Sequence, residues 1–373
     1  MRIGLNALMI APGLAGDRVY CEELIRALTA APGDDEFVVF VRCATTLPSC
    51  QSDRVRLVQT PVPQRSTIRR TVWEYGFLPR AVRRAGLDLI HGLGGRSPAV
   101  RGVPFVLSIA DLIYRQFPQS VPLAPRLFMR LVQPYMAQRA DRVIVPSAST
   151  ARQVVELLGV HTDRIRLIPY GPGHTFGPVP NEGVVERVIT AHNVRHPYIL
   201  SVCRGYPHKN LTGLLRAFAR LPALGHSTTQ LVLVGDPHWS GPEISRLVNE
   251  LGIADRVACT GFLELDELRA LLTGATLFAF PSLAEGFGLP VLEAMACGTP
   301  VVGSNASAVC EVVGGAGVLA RADDPVEFAE ALARTLGDDK LRDQLRVKGR
   351  ARAREFSWER CAAATLAVYH ELS

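Results

Sequence analysis

The feature that most constrains the fold is an alternation of short β-branched runs with stretches of helical period, which continues through most of the 373 residues. Such alternation is typical of parallel α/β layers and excludes an all-helical or an all-β protein. We predict two series of strands. The first series comprises 2–8, 37–41, 87–91, 105–109 and 142–145. The second series comprises 198–202, 230–234, 256–260, 277–280, 300–303 and 317–319.

A Pro- and Gly-rich segment, 168–180, separates the two series and predicts a domain boundary. Two domains also suit the length, at about 150 residues per domain. We therefore expect two Rossmann-like domains, 1–172 and 173–355, that face each other across a cleft, followed by a helix in 356–373. Ligands are expected at the carboxyl ends of the strands.

Composition excludes several classes of protein. With 48% hydrophobic and 20% charged residues, the chain shows no bias toward disorder, and no apolar run approaches the ~18 residues of a membrane span. A net charge of +6 without long basic runs favours anionic partners weakly. The eight cysteines lack metal-ligand spacing and are expected to be reduced in the cytoplasm. The apolar start predicts a first strand rather than a signal peptide.

The densest motif is the stretch PSLAEGFGLPVLEAMACGTP at 281–300. A loop leads from the preceding strand to Pro290, which suits the start of a helix, and Gly298 suits its left-handed stop. Glu293 falls about one turn into this helix, where side chains lean back toward the amino end. The carboxylates of Glu285 and Glu293 are therefore expected to converge on the loop.

Backbone amides between these carboxylates are expected to be unpaired at the helix N-terminus, where a phosphate oxygen binds favourably. They belong to Gly286, Phe287, Gly288 and Leu289. Acceptor carboxylates beside an anion site suit a ligand that carries both hydroxyls and phosphates. A sugar nucleotide is such a ligand.

The pair Glu285 and Glu293, followed by CGTPVV at 297–302, resembles the signature of glycosyltransferase family 4, retaining GT-B enzymes that include mannosyltransferases. The resemblance covers nearly the whole chain. It implies that Glu285 holds hydroxyls of the donor sugar and Glu293 the nucleotide ribose, although Glu293 could instead be a solvated helix residue. It also implies that the last helix crosses back to the first domain.

A second segment, LSVCRGYPHKNL at 200–211, resembles the family segment in which an arginine and a lysine grip the donor diphosphate. Arg204 and Lys209 match those positions. Lys209 is the only lysine before residue 340, which favours a specific role over a random surface lysine. Asn210 is the predicted cap of the next helix, and His208 is either a weak phosphate contact or an exposed histidine.

Three weaker resemblances add candidate residues. Phe262 and Leu263 resemble the loop that borders the nucleobase, although Phe262 could simply pack. Gly16, in the loop 12–18 before a helix at 20–28, resembles the glycine-rich loop near the donor phosphate. Ala110 replaces the family's usual histidine, so Asp111 is left either to orient the acceptor or to cap the following segment.

The stretch 65–84 interleaves aromatic residues with arginines. We predict a helix that packs Trp73 and Phe77 inward and keeps its arginines outside. These arginines could meet anionic lipid headgroups and give access to a lipid-linked acceptor. No base-reading motif accompanies them, so no nucleic-acid partner is expected.

Together these features predict a retaining hexosyltransferase that moves a sugar from a nucleotide diphosphate donor, UDP or GDP, to a glycan, lipid-linked or small-molecule acceptor. No Asp-x-Asp motif follows a strand, so neither a metal nor a cofactor is expected. The predicted catalytic residues are Arg204, Lys209, Glu285 and Asp111. A nucleotide-sugar epimerase and a non-catalytic nucleotide-sugar-binding protein are the alternatives, and the expected location is the cytoplasm, with or without peripheral contact at the inner membrane face.

Overall fold

A computed structural model describes residues 1–11, 15–47, 52–202, 204–235 and 242–373. They form two compact units, each built around one sheet. Unit 1 comprises 1–115, 121–171 and 356–373, and unit 2 comprises 116–120 and 172–355. The short segment 116–120 thus leaves the first predicted domain and joins unit 2. The last helix, Trp358–His370, belongs to unit 1.

Unit 1 holds a parallel sheet in the order β3-β2-β1-β4-β5-β6-β7. The strands are β1 Arg2–Asn6, β2 Glu36–Val41, β3 Val55–Gln59, β4 Leu89–Gly92, β5 Phe105–Ser108, β6 Arg142–Val145 and β7 Ile165–Leu167. The helices are α1 Ala15–Ala30, α2 Thr67–Gly76, α3 Leu78–Arg84, α4 Ile113–Gln116, which runs into unit 2, α5 Leu123–Arg139, α6 Ala148–Leu158 and, at the end of the chain, α15 Trp358–His370.

Unit 2 holds a parallel sheet in the order β10-β9-β8-β11-β12-β13. The strands are β8 Tyr198–Val202, β9 Gln230–Val234, β10 Val257–Gly261, β11 Leu277–Phe280, β12 Val301–Ser304 and β13 Val318–Ala320. The helices are α7 Glu182–Ala191, α8 Leu211–Ala219, α9 Pro242–Glu250, α10 Leu265–Gly274, α11 Leu289–Cys297, α12 Ser307–Val313, α13 Pro325–Gly337 and α14 Asp339–Ala353.

Both sheets have a topological switch point, where successive strands begin to be added on the opposite side. It lies between β1 and β4 in unit 1 and between β8 and β11 in unit 2. In open parallel sheets the loops at such a point diverge and leave a crevice beyond the carboxyl ends of the strands. The two switch points are therefore where ligand sites are expected.

Helix α15 packs on unit 1 through aromatic side chains. The Trp358 ring stacks on Tyr170 with centroids 5.6 Å apart. The Tyr369 hydroxyl lies 2.6 Å from Nδ1 of buried His91, whose Nε2 lies 2.8 Å from the Ser108 hydroxyl. Burial lowers the pKa of His91 to about 3, so the ring is neutral. His91 is therefore a structural residue that links two strands to the last helix.

The predicted packing of the segment 65–84 is wrong in two respects. Phe77 is 56% exposed, because α2 ends at Gly76 and α3 begins at Leu78, which turns the residue between them outward. Arg70 faces inward and is buried, whereas Trp73 is half-buried and packs against the core, as predicted. Among the described helices, none is long and apolar enough to cross a membrane.

Candidate functional site

Two loops meet at the switch point of unit 2. The first follows β8 and contains Arg204 and a 3₁₀ turn, Pro207–Lys209, before α8. The second, 281–288, joins β11 to α11. Because β8 and β11 are neighbouring parallel strands, both loops leave the same edge of the sheet. The Leu283 amide donates to the His208 carbonyl at 2.7 Å, which ties the loops together.

The contact brings the two most strongly predicted residues into an ion pair. Lys209 Nζ lies 2.5 Å from Glu285 Oε1, and the side chains are 18% and 9% exposed. The ammonium also lies 5.4 Å from the centroid of the Phe280 ring. The pair is largely shielded from water and lies beyond the carboxyl ends of the strands. It can therefore offer a ligand both a cation and a hydrogen-bond acceptor.

A neighbouring helix holds the backbone of Glu285. The Glu285 amide donates to the Ser307 hydroxyl at 2.9 Å. Ser307 has φ +54, a left-handed conformation that side-chain-bearing residues rarely adopt and that costs on the order of 1 kcal/mol. The sequence motif gave no sign of this residue, which fixes the predicted sugar-binding carboxylate from a different strand-helix unit.

The second carboxylate lies in α11, which has glycines in the left-handed conformation at both ends. Gly288 has φ +108 and Gly298 has φ +82, as the predicted stop requires. Glu293 is 9% exposed, so the alternative of a solvated helix residue is wrong. A carboxylate so buried needs hydrogen-bonding partners to stay charged. The predicted anion-binding residues Gly286, Phe287, Gly288 and Leu289 lie at the amino end of the same helix.

Arg204 supplies a second cation in the loop after β8. Its Nη2 atom is buried and has no hydrogen-bond partner among the described residues. Buried donors without a partner are uncommon and costly, and a bound ligand is one partner that can satisfy them. Arg204 and Lys209 therefore give this loop two positive charges, as the sequence predicted. Cys203, between Arg204 and β8, lies outside the described residues.

Two neighbours of Lys209 differ from their predictions. His208 is 5% exposed, so it is not an exposed histidine, and its Nδ1 lies 3.0 Å from the Ser120 hydroxyl. Burial, together with the charge of Lys209, lowers the pKa of His208 to about 4, so the ring is neutral. Its weak contact with phosphate stays a prediction. Asn210 precedes α8 but does not cap it, because its side-chain amide donates to the Ala322 carbonyl at 2.6 Å.

The predicted nucleobase residues follow β10, which β9 separates from β8. Phe262 is 62% exposed, so the alternative that it simply packs is wrong, and Leu263 is half-buried. Their place at the same sheet edge suits a ligand that extends from the switch point. Their contact with a base stays a prediction.

Two of the predicted residues, Gly16 and Asp111, belong to unit 1. Gly16 is exposed and is already helical, because α1 begins at Ala15; residues 12–14 of the predicted loop lie outside the described residues. Asp111 accepts a hydrogen bond at Oδ1 from the Ile113 amide at 3.0 Å. This bond agrees with the capping alternative, and an additional role toward an acceptor stays a prediction.

The switch point of unit 1 holds a charged cluster that sequence reasoning missed. Asn6, the last residue of β1, donates from Nδ2 to Glu74 Oε1 at 3.1 Å and to the Ser97 hydroxyl at 2.9 Å. Arg70 Nε donates to the same Glu74 oxygen at 3.0 Å. The only advance signal was the spacing of Arg70 and Glu74, four residues apart on one helix.

Two further arginines belong to this cluster. Arg42 and Arg96 are 3% and 8% exposed, and Arg70 and Glu74 are 7% and 0% exposed. Burial, followed by the charge of Arg70, lowers the pKa of Arg96 to about 10. The cluster thus holds three buried guanidiniums against one carboxylate. Among the described residues, no group of three or more His, Cys, Asp or Glu side chains could hold a metal.

Comparison with known proteins identifies the family of the chain. The family model for glycosyl transferases group 1 matches residues 185–352, and the model for the glycosyl transferase 4-like domain matches 15–171. The MMP alpha-(1->4)-mannosyltransferase of Mycolicibacterium hassiacum is 31% identical, over 100% of this chain and 98% of its own.

Solved structures show the same fold. Sucrose-phosphate synthase from Thermosynechococcus elongatus superposes with a TM-score of 0.80 at 25% identity, over 100% of this chain and 99% of the other. Anabaena HepE in complex with UDP and glucose superposes with a TM-score of 0.76 at 19% identity, over the full length of both. These matches confirm the family and the fold that the Glu285 and Glu293 motif predicts, and the chain belongs to the GT4-type glycosyltransferases with a GT-B fold.

Proposed function

We propose that unit 2 binds a nucleotide diphosphate sugar at the Lys209–Glu285 pair and that the protein transfers the hexosyl group to an acceptor hydroxyl with retention of configuration. The observation that carries this proposal is the position of the pair, at the switch point of the sheet and largely shielded from water. The neighbouring Arg204 supports it, because its buried Nη2 has no hydrogen-bond partner among the described residues.

The two cations are proposed to stabilise the leaving diphosphate. When the bond from the anomeric carbon to the phosphate oxygen breaks, negative charge accumulates on the diphosphate. Preorganised cations lower the energy of that state without reorganising at the moment of reaction. A Lys ammonium has three protons, so Lys209 can donate to Glu285 and to a phosphate oxygen at once. Arg204 adds a planar donor that suits two phosphate oxygens.

The two carboxylates are proposed to hold alcohols of the donor. Glu285 accepts from hydroxyls of the sugar, and Glu293 accepts from the ribose. Retention follows from displacement on one face: the acceptor oxygen bonds to the anomeric carbon on the side that the diphosphate leaves, and its proton passes to the leaving phosphate oxygen. Asp111 is proposed to orient the acceptor, and no divalent metal takes part.

A UDP- or GDP-hexose is the proposed donor. The Mycolicibacterium relative is named a mannosyltransferase, and the HepE complex contains UDP and glucose. A thermal-shift screen with UDP-, GDP-, ADP- and TDP-sugars tests donor binding, since a ligand at 100 times its Kd adds about 2.7 kcal/mol of stability. A uniform absence of shifts would reject the proposal.

A transfer assay then separates the remaining functions. Release of the nucleoside diphosphate that requires an acceptor, insensitive to EDTA, together with an unchanged anomeric configuration in the product, is the expected result. An epimerase would convert the donor without any acceptor, and a binding protein would shift in melting temperature without turnover. Either outcome would contradict transferase activity.

We also propose peripheral contact with an anionic membrane, through α5 rather than through the arginines of α2 alone. Helix α5 exposes Leu123, Leu127, Leu131 and Tyr135, which recur every four residues and are 60%, 49%, 77% and 50% exposed. The helix contains arginines but no acidic residue. An apolar stripe among cations is what an interfacial helix offers to anionic lipid.

Vesicle cosedimentation tests this surface. The double variant Leu127→Gln, Leu131→Gln is expected to lose binding to phosphatidylglycerol vesicles, because it removes two anchors from the centre of the stripe. Leu224→Gln, at a leucine that is 42% exposed in unit 2, is the matched control and should bind like the unmodified protein. Equal binding of both variants, or binding to neutral phosphatidylcholine alone, would contradict the proposal.

A further inference from the structure

The charged cluster at the switch point of unit 1 has more hydrogen-bond donors than the protein uses. Arg42 donates through Nε to the carbonyl of Leu8 at 2.7 Å and through Nη1 to those of Pro63 and Gln64 at 2.9 and 3.0 Å. Within the described residues, Arg70 donates only through Nε, to Glu74. The Arg96 guanidinium donates no hydrogen bond to the described residues and lies 5.7 Å from the Phe128 ring centroid.

The charge of the cluster is also unbalanced. The groups that face Arg96 electrostatically are Arg70, Arg42, Glu74 and Tyr75, of which only Glu74 is negative at neutral pH. Three buried cations and one anion leave two positive charges without a counter-charge. Burying an uncompensated charge costs several kcal/mol, and proteins retain such an arrangement mainly at functional sites.

The loop after β4 packs tightly beside these donors, so a side chain at Gly94 would overlap its neighbours. A Cβ at Gly94 would lie 3.3 Å from Arg70 Nη2 and 2.7 Å from Met9 Sδ. The next residue, Gly95, has φ +57, a conformation that favours glycine. The loop after β4 thus passes close to the free end of Arg70 and carries Arg96 one residue later.

From these observations we propose that Arg70 and Arg96 form a binding site for an oxyanion, a phosphoryl or carboxylate group, carried by the acceptor substrate. Two guanidiniums with unused planar donors match the paired oxygens of either group. Both arginines lie at the switch point of the sheet, which is where ligands of such folds bind. The inference rests on the proposed transferase function and adds the chemical class of the acceptor.

Binding of inorganic phosphate, measured by thermal shift and calorimetry, tests the site. Phosphate can also occupy the diphosphate subsite of unit 2, so four proteins are compared, the unmodified chain, Arg96→Gln, Arg70→Gln and Lys209→Ala, and each arginine change is also combined with Lys209→Ala. We expect phosphate binding to persist in Lys209→Ala, which removes the unit 2 subsite, and to weaken at least tenfold when Arg96→Gln or Arg70→Gln is added to Lys209→Ala. Phosphate affinity that is unchanged by the added Arg96→Gln, or lost in Lys209→Ala alone, would overturn the inference.

Nucleotide binding to the same four proteins separates this inference from the proposed function. UDP or GDP should bind Arg96→Gln normally and Lys209→Ala poorly. If Arg70→Gln fails to fold because Glu74 loses its partner, Arg96→Gln alone decides. Acetate in place of phosphate distinguishes a carboxylate site from a phosphoryl site.

Transfer assays test the role of Arg96 toward the acceptor. Arg96→Gln should raise KM for a phosphorylated or carboxylated acceptor at least tenfold, and it should leave kcat and the KM for a neutral acceptor unaffected. An equal rise in KM for a neutral acceptor would contradict the assignment.

Discussion

The two sheets place charge at equivalent positions, yet the balance of charge differs. At the switch point of unit 2, Arg204 and Lys209 share the region with Glu285 and Glu293, so among the described residues cations and carboxylates are equal in number there. At the switch point of unit 1, Arg42, Arg70 and Arg96 share a single carboxylate. A balanced set suits a ligand that carries both anions and alcohols, whereas an excess of cations suits a ligand that contributes negative charge.

The hydrogen-bond partners of the carboxylates also differ between the two units. The Lys209–Glu285 pair is a direct contact, and the lysine keeps two further protons to which the proposed donor can hydrogen-bond. In unit 1 the one carboxylate accepts from Asn6 and Arg70 through Oε1, and its buried Oε2 has no partner among the described residues. The donors available to the proposed oxyanion are those that make no hydrogen bond within the protein. The charge balance therefore suits the unit 2 site to a ligand with both anions and alcohols, and the unit 1 site to an anionic ligand.

The largest expected effect comes from breaking the balanced pair. Lys209→Ala should lower kcat/KM by about 10³-fold, since loss of a preorganised charge at a reacting diphosphate costs about 4 kcal/mol. Glu285→Ala should have a comparable effect. Steady-state kinetics and melting temperature are the measurements. Lys340→Ala removes an exposed lysine of α14 and should leave both unchanged. Near-normal turnover in Lys209→Ala would contradict the site.

The second effect comes from removing the one anion of unit 1. Glu74→Gln leaves three buried cations without a counter-charge and should destabilise the protein by about 3–5 kcal/mol, measured by denaturant unfolding. The matched control is Glu22→Gln, which breaks another Arg–Glu pair spaced by four residues. That pair is solvent-exposed, so its loss should cost less than about 1 kcal/mol. Similar losses in both variants would mean that the cluster carries no excess charge.

The third effect is a pH dependence that both units share. The folded-state pKa values of His91 and His208, about 3 and about 4, lie below the unfolded value of about 6.5. The unfolded chain therefore binds protons more readily than the folded protein does. The two neutral rings contribute their full stabilisation above about pH 6.5, and this contribution falls as the pH drops toward 4. The slope should be about 1.4 kcal/mol per pH unit for each ring.

Unfolding measured between pH 7 and pH 4 checks this dependence. His208→Gln should show a shallower loss of stability than the unmodified chain over that range. His161→Gln, at a histidine whose side chain is 72% exposed, is the control and should follow the unmodified curve. An unaltered slope in His208→Gln would show that the buried ring carries a proton in the folded state.

The smallest expected effect is on stability, when Arg96 is replaced. Arg96→Gln should change the free energy of unfolding by less than about 1 kcal/mol, because relief of repulsion from Arg42 and Arg70 offsets the lost contact with Phe128. Equilibrium denaturation is the measurement. A loss above about 2 kcal/mol would identify Arg96 as a structural residue and weaken its assignment to a ligand.

The local motif 281–300 predicted its own structure well. Helix α11 spans Leu289–Cys297, and Gly298 is left-handed as expected, because glycine and proline act on the backbone at their own positions. The central strands were also predicted, since both faces are buried and the runs are apolar. The edge strands β3 and β7 were missed. Their side chains are half-buried or exposed, so they lack the apolar signal.

The sequence by itself determined the family, the two α/β layers and the candidates Arg204, Lys209, Glu285 and Glu293, since each depends on local spacing or short-range backbone preference. Only the tertiary structure decided which charges meet. It buried His208 against Ser120 and gathered the arginines of unit 1 around Glu74. Such contacts join residues that lie far apart along the chain, and their energy depends on burial and distance, which no local pattern encodes.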